Sequence, residues 1–104
     1  MRAIHTARLD KMRPVLVLTR EAVRPVLRKV TIAPITGTVR GLSTEVAVGP
    51  RNGLDKPSVV SCDNIQTIAT EDLGKLIGYL FDDQEPALAT AIIEAFDLDA
   101  EHVP

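Results

Sequence analysis

The apolar residues of this chain come in short runs, each closed within a few positions by a turn former, and that pattern constrains the fold more than any other feature. RAIHTAR (2–8), PVLVLT (14–19), KVTIAPIT (29–36), TEVAV (44–48), SVVSC (58–62), IQTI (65–68) and LIGYLF (76–81) have strand length. They are rich in Val, Ile and Thr and are separated by turn clusters, notably GPRNGLDKP (49–57) with its Asn-Gly pair. TEDLG suggests a single helical turn, with Thr70 as N-cap and Gly74 as stop. Pro25 inside EAVRPVLR reduces the stretch after Arg20 to a loop with at most one turn. One helix is predicted, from about Gln84 to Phe96, capped by Asp82 or Asp83, with Leu88, Ile92, Ala95 and Phe96 on its apolar stripe. Seven short strands and one helix in 104 residues describe a single domain, a small curled sheet or barrel with a helix packed on it. The last residues, DAEHVP, are expected to fray.

No apolar run is long enough to span a bilayer, and MRAIHTARL has arginines where a signal peptide needs its apolar stretch, so the expected location is the cytoplasm. The only cysteine, Cys62, lies in an apolar run and reads as a core residue. The net charge of −2 hides a polarity. Residues 1–56 hold eleven Lys/Arg against four acids, a net of +7, whereas residues 57–104 hold one lysine against ten acids, a net of −9. Two readings stand side by side: a basic face for a polyanion, or an acidic half folded across a basic one.

Chemistry has few places to sit. There is no Gly-rich phosphate loop, no pair of histidines at helical spacing and no nucleophile elbow, which argues against nucleotide hydrolysis, zinc catalysis and the hydrolase triads. His5 and His102 are nearly a chain apart. The aromatic residues Tyr79, Phe81 and Phe96 all fall in segments assigned to packing, so a base-stacking platform is not expected. Three positions remain, each where a strand gives way to a loop. Arg13 precedes Pro14, which should open its strand and hold the arginine extended at the rim; Thr36 ends APIT; Asp63 ends SVVSCD. A cation, a hydroxyl and a carboxylate suit transfer of a phosphodiester to a neighbouring hydroxyl, if these strand ends meet.

In order along the chain, RPVLVLT, VTIAPIT, SVVSCDNIQTI and LIGYL followed by a helix resemble the blocks of the MazF/PemK family of bacterial toxins, from about Met12 to Leu98. The resemblance implies a mainly β (α+β) fold, an SH3-like curled β-barrel with a C-terminal α-helix, dimerising across sheet edges. It implies metal-independent cutting of single-stranded RNA by the RNA's own 2′-hydroxyl, with no cofactor, leaving a cyclic phosphate and a 5′-hydroxyl, so that DNA survives. It also implies a cognate antitoxin that offers an acidic, partly disordered segment to the basic groove. The family's catalytic arginine and threonine fall on Arg13 and Thr36, and Asp63 takes the place of an aspartate used by some plasmid-borne members, although Ser61 stands where those members carry an arginine. RNA contacts are expected from Arg20, Arg24, Gly37, Arg51, Lys56, Ser58 and Ser61. The family's long Gly-rich first loop is cut down here to AIHTARLDKM. A second reading is a non-enzymatic poison of the same fold that grips DNA gyrase; such poisons end in Trp-Gly-Ile, and this chain ends Glu-His-Val-Pro. A third is an inert member that only titrates antitoxins.

Overall fold

The structure is a computed structural model that describes residues 1–99. Seven strands follow one another: β1 (Arg2–Arg8), β2 (Met12–Val17), β3 (Lys29–Thr36), β4 (Glu45–Val48), β5 (Ser58–Ser61), β6 (Gln66–Ala69) and β7 (Leu73–Leu80). A helix, α1 (Glu85–Phe96), closes the described chain. All pairings are antiparallel, in the order β4-β5-β3-β2-β1-β7, with β6 on the first half of β3. β3 carries the curl. Its residues 29–32 pair with β6, Ile35 and Thr36 pair with β5, and residues 32–34 pair with β2 on the other side. The strand must therefore turn from one partner to the next, and the sheet closes partly on itself.

Both faces of the curled sheet are packed. Leu88 and Ala91 of α1 sit with Ile4, Leu16, Ile35, Val60 and Leu80 in the larger core. The opposite face of β2 and β3 buries Ala7, Val15, Val17, Val30 and Ile32 in a second, smaller one. This is why VLV (15–17) reads as a continuous apolar run and not as an alternation: its residues are buried whichever way they point. At about 25 cal/mol per Å² of apolar surface removed from water, the larger cluster is the main stabilising contact between helix and sheet.

Several local expectations are corrected. β2 begins at Met12, so Pro14 lies inside the strand, opposite Thr6. On its β3 side the ladder begins only at Val15, so Pro14 meets an edge there, where a residue without an N–H is tolerated. Neither Asp82 nor Asp83 caps α1. Gln84 Oε1 takes the Phe81 N–H at 3.0 Å, while Asp82 takes the N-terminal ammonium and Asp83 takes Arg51. Ala91 is buried on the helix stripe whereas Phe96 is 55% exposed, because the helix ends at once in a left-handed Asp97. Tyr79 is also partly exposed. The Thr70–Asp72 turn forms, but Thr70 donates to the Leu27 carbonyl and does not cap it, and Gly74 lies within β7. Cys62 is in the core as expected. The fraying expected of the tail lies, from residue 100 on, outside the described residues.

Candidate active site

The β2–β3 ladder pairs Val17 with Ile32 and Val15 with Pro34 and stops there, two residues short of Arg13 on one strand and of Thr36 on the other. Alternation puts both on the face that carries Val15, Val17 and Ile32. One end of that face is the smaller core; the other end is open. There Arg13, Ile35 and Thr36 form a saddle shared by two depressions. The larger, of about 980 Å³, runs from Arg8 and Asp10 past Arg40 and Glu45 to Ser61 and Asp63. The smaller, of about 430 Å³, is lined by Lys11, Gly37, Asp55, Lys56 and Ser58. The two make one groove across the strand ends, with the arginine and threonine at its midpoint.

Arg13 is not an isolated cation. The turn at Leu9–Lys11 folds Asp10 back onto it, and the carboxylate takes Nε at 2.8 Å and Nη2 at 2.9 Å. Hydrogen bonding to Arg13 holds the Asp10 carboxyl far below the ordinary carboxylate range and raises Arg13 in turn. A guanidinium has two usable edges. Asp10 occupies the Nε edge and so fixes the plane of the group, while Nη1 has no partner among the described residues. The remaining edge can take an anion in the same plane.

Thr36 Oγ1 accepts the Thr38 N–H at 3.1 Å, which leaves its own hydroxyl proton for another acceptor. Asp63, in the short turn Cys62–Asn64, accepts the Thr44 hydroxyl on Oδ2 at 2.6 Å, and its Oδ1 has no partner among the described residues. The three strand-end residues thus border one cavity.

The residues expected to contact RNA divide. Ser61 borders the larger depression and accepts Asn64 Nδ2 at 2.8 Å. Gly37, Lys56 and Ser58 border the smaller one. A Cβ on Gly37 would lie 2.6 Å from Lys56 Cε, the far end of a flexible side chain that lies across the glycine. Ser58 is buried and donates to the Lys56 carbonyl, which steadies the loop below that lysine. Arg20, Arg24 and Arg51 lie elsewhere. Arg20 and Arg24 border a separate recess with Arg2 and Thr19, beyond the other end of β2, on the order of 20 Å from Arg13 at the usual rise per strand residue. Arg51 is held by both oxygens of Asp83 at 3.0 and 3.1 Å and lies 4.9 Å over the Phe81 ring.

The opposed halves of the chain prove to be both things at once. Met1, Arg2 and Arg51 pair with Asp82, Glu85 and Asp83, so part of the basic half is neutralised by the acidic one. Arg8, Lys11, Arg40 and Lys56 at the groove form no ion pair among the described residues. The positions that sequence reasoning missed are Asp10, Arg40, Thr44 and Glu45. Asp10 carried a usable signal, a carboxylate three residues before an arginine across a tight turn. No described helix is long and apolar enough to cross a membrane, and no three described His, Cys, Asp or Glu side chains cluster as metal ligands.

Comparisons with known proteins bear on the family and the fold. Residues 3–96 match the model of the PemK-like, MazF-like toxin of type II toxin-antitoxin systems. The chain is 70% identical over 99 residues to endoribonuclease MazF3 of Mycobacterium tuberculosis, covering 95% of this chain and 96% of that one. It is 37% identical over 86 residues to the probable endoribonuclease MazF5 of the same organism, covering 82% and 79%. Its fold superposes on the M. tuberculosis toxin MazF-mt6 with a TM-score of 0.93 at 69% identity, covering 94% of this chain and 99% of the other. A mycobacterial endoribonuclease solved with its cognate antitoxin aligns with a TM-score of 0.83 at 26% identity, over 93% of each chain. The curled sheet, the closing helix and the ordered residue blocks therefore have one source: the chain belongs to the PemK-like, MazF-like family of toxins of type II toxin–antitoxin systems.

Proposed function

We propose that this toxin is an endoribonuclease that cuts single-stranded RNA at a short unpaired sequence, without a metal ion, by attack of the RNA's own 2′-hydroxyl. The observation that carries the reading is the saddle: Arg13, oriented by Asp10 with one guanidinium edge open, together with Thr36 in the middle of the groove. The relatives called endoribonucleases, one of them solved with an antitoxin, support the same reaction and the same kind of partner.

In this reaction the 2′-oxygen bonds to phosphorus as the bond from phosphorus to the 5′-oxygen breaks. The 2′-hydroxyl loses its proton and the leaving 5′-oxygen gains one. The products are a 2′,3′-cyclic phosphate and a 5′-hydroxyl, with no water consumed. Negative charge builds on the non-bridging oxygens, and the open edge of Arg13 and the Thr36 hydroxyl are donors suited to it. Asp63 Oδ1 is the proton acceptor. Asp10 is the poorer base, because its pairing with Arg13 holds it ionised far below neutral pH. The unpaired Arg8, Lys11, Arg40 and Lys56 attract the flanking phosphates. The protein works as a cytoplasmic homodimer, and the antitoxin silences it by laying an acidic segment along the groove.

The test is to incubate the protein with a long RNA in chelator and map the ends. Cuts ending in cyclic phosphate, lost in Arg13→Ala and absent where the attacking ribose is 2′-deoxy, are expected. Intact RNA, or cutting indifferent to Arg13, overturns the proposal.

A further inference from the structure

The segment from Gly37 to Thr44 contains no strand or helix, yet it is tied at both ends and in its middle. At its start, the Thr38 N–H donates to Thr36 Oγ1. At its end, the Thr44 hydroxyl donates to Asp63. In between, Glu45 turns its carboxylate back onto the loop. Oε1 takes the Leu42 N–H at 3.1 Å and the Arg40 N–H at 3.2 Å, and Oε2 takes the Arg40 N–H at 3.3 Å. The Glu45 N–H donates in turn to the Leu42 carbonyl at 3.1 Å. Gly41, at φ +75°, supplies the left-handed residue that the turn needs. Exposed loops usually move; a carboxylate that accepts two backbone N–H groups, from residues three and five positions back and one of them shared by both oxygens, makes this one a fixed unit.

What the unit displays is specific. Glu45 is the acid beside Arg40, and an ion pair between the two side chains would be the ordinary outcome. Instead the carboxylate is committed to backbone N–H groups, and the Arg40 guanidinium, on the wall of the larger depression, has no partner among the described residues. Val39 and Leu42 beside it are 58% and 48% exposed. A free planar cation flanked by apolar side chains is the combination that holds an unstacked base when no aromatic ring is at hand, since guanidinium planes also stack on bases. Two of the loop's three ties end on Thr36 and Asp63, so whatever seats on the loop is placed in register with the reacting groups.

We propose that the Glu45-clamped loop is the specificity wall of the groove: Arg40 holds an unpaired nucleotide on one side of the scissile linkage, and Glu45 is the positioning residue that keeps it there. This rests on the groove being an RNA site. Nucleotides on the opposite side fall to the smaller depression and Lys56.

The experiment uses two randomised single-stranded RNA libraries, one of ordinary RNA for end mapping and one with 2′-fluoro riboses, which cannot be cut, for selection by binding. In Arg40→Ala the base preference on one side of the cut flattens while the other side is unchanged, and affinity for the selected sequence falls about 5- to 100-fold, the range for one good base contact. Glu45→Ala gives the same one-sided loss, expressed in KM more than in kcat. Glu45→Gln retains the preference, because its carbonyl can replace the oxygen that takes both N–H groups. An unchanged preference in Arg40→Ala, or an equal loss on both sides, overturns the proposal. So does loss in Glu45→Gln equal to that in Glu45→Ala with both variants melting like the parent. If the parent selects a sequence from the uncuttable library in an Arg40-dependent way but cuts nothing, the loop proposal stands and the nuclease reading falls. If it neither cuts nor selects, both fall.

Discussion

Two arginine–aspartate pairs of this molecule are nearly alike in geometry and opposite in use. Arg13 and Asp10, at the groove, meet through two bonds of 2.8 and 2.9 Å; Arg51 and Asp83, beside the start of the helix, meet through two of 3.0 and 3.1 Å. What differs is the surroundings. Arg51 lies on the Phe81 ring and ties the Pro50–Asn52 turn to the residues that lead into α1. Arg13 turns its remaining edge to a cavity shared with Thr36. A bidentate pair is thus no guide to role; the neighbour of the unused edge is.

The comparison is tested most severely at Arg13 itself. Arg13→Ala should lower kcat/KM for RNA cutting by about 10²–10³-fold, the usual loss when one transition-state donor is removed. Its melting temperature should hardly move, since exposed ion pairs contribute little. A loss of activity matched by a loss of fold would place Arg13 with Arg51 as a structural cation. Asp10→Asn is the next largest. Its amide can still accept from Nε but no longer holds the whole edge, so activity should fall about 10-fold at unchanged stability, and guanidinium ion in the assay should restore none of it.

Acid sharpens the contrast differently. The Asp10 carboxyl is depressed in the folded chain, so the stabilisation it contributes is complete above the unfolded value near 3.9 and is lost only as pH falls below that. The difference in melting temperature between the parent and Asp10→Asn should therefore stay flat from pH 5 to 8. A slope in that window would mean that folding raises the carboxyl instead of depressing it. The smallest effect belongs to Arg51→Ala: cutting close to that of the parent and a melting temperature that hardly moves, since the exposed ion pair and ring contact that it loses contribute little. A larger loss of cutting would return Arg51 to the RNA path.

The sequence alone could not tell these two arginines apart, and the reason is distance along the chain. Phe81 and Asp83 lie some thirty residues beyond Arg51, and only the fold brings them under it. Local features were legible: the runs of β-branched residues became strands, the helix fell within a residue of its expected start, and the ordered blocks pointed to the family later found. That Arg13 and Thr36 border the same groove depends on β2 and β3 lying side by side, which the pattern of apolar residues hints at but does not state. Features set by tertiary competition were not legible. Asp82 and Asp83 looked like helix caps, but the N-terminus and Arg51 drew them away, and α1 begins without a side-chain cap. Glu45 looked like a strand residue; its side chain serves the preceding loop.

Cys62 is 1% exposed, and burial together with the neighbouring Asp63 pushes its thiol above the ordinary value. Peroxide and alkylating agents react with thiolates, and this sulfur is neither ionised at neutral pH nor within their reach. A cell under oxidative attack inactivates many enzymes through their cysteines; this one would come through such an episode with its thiol unmodified.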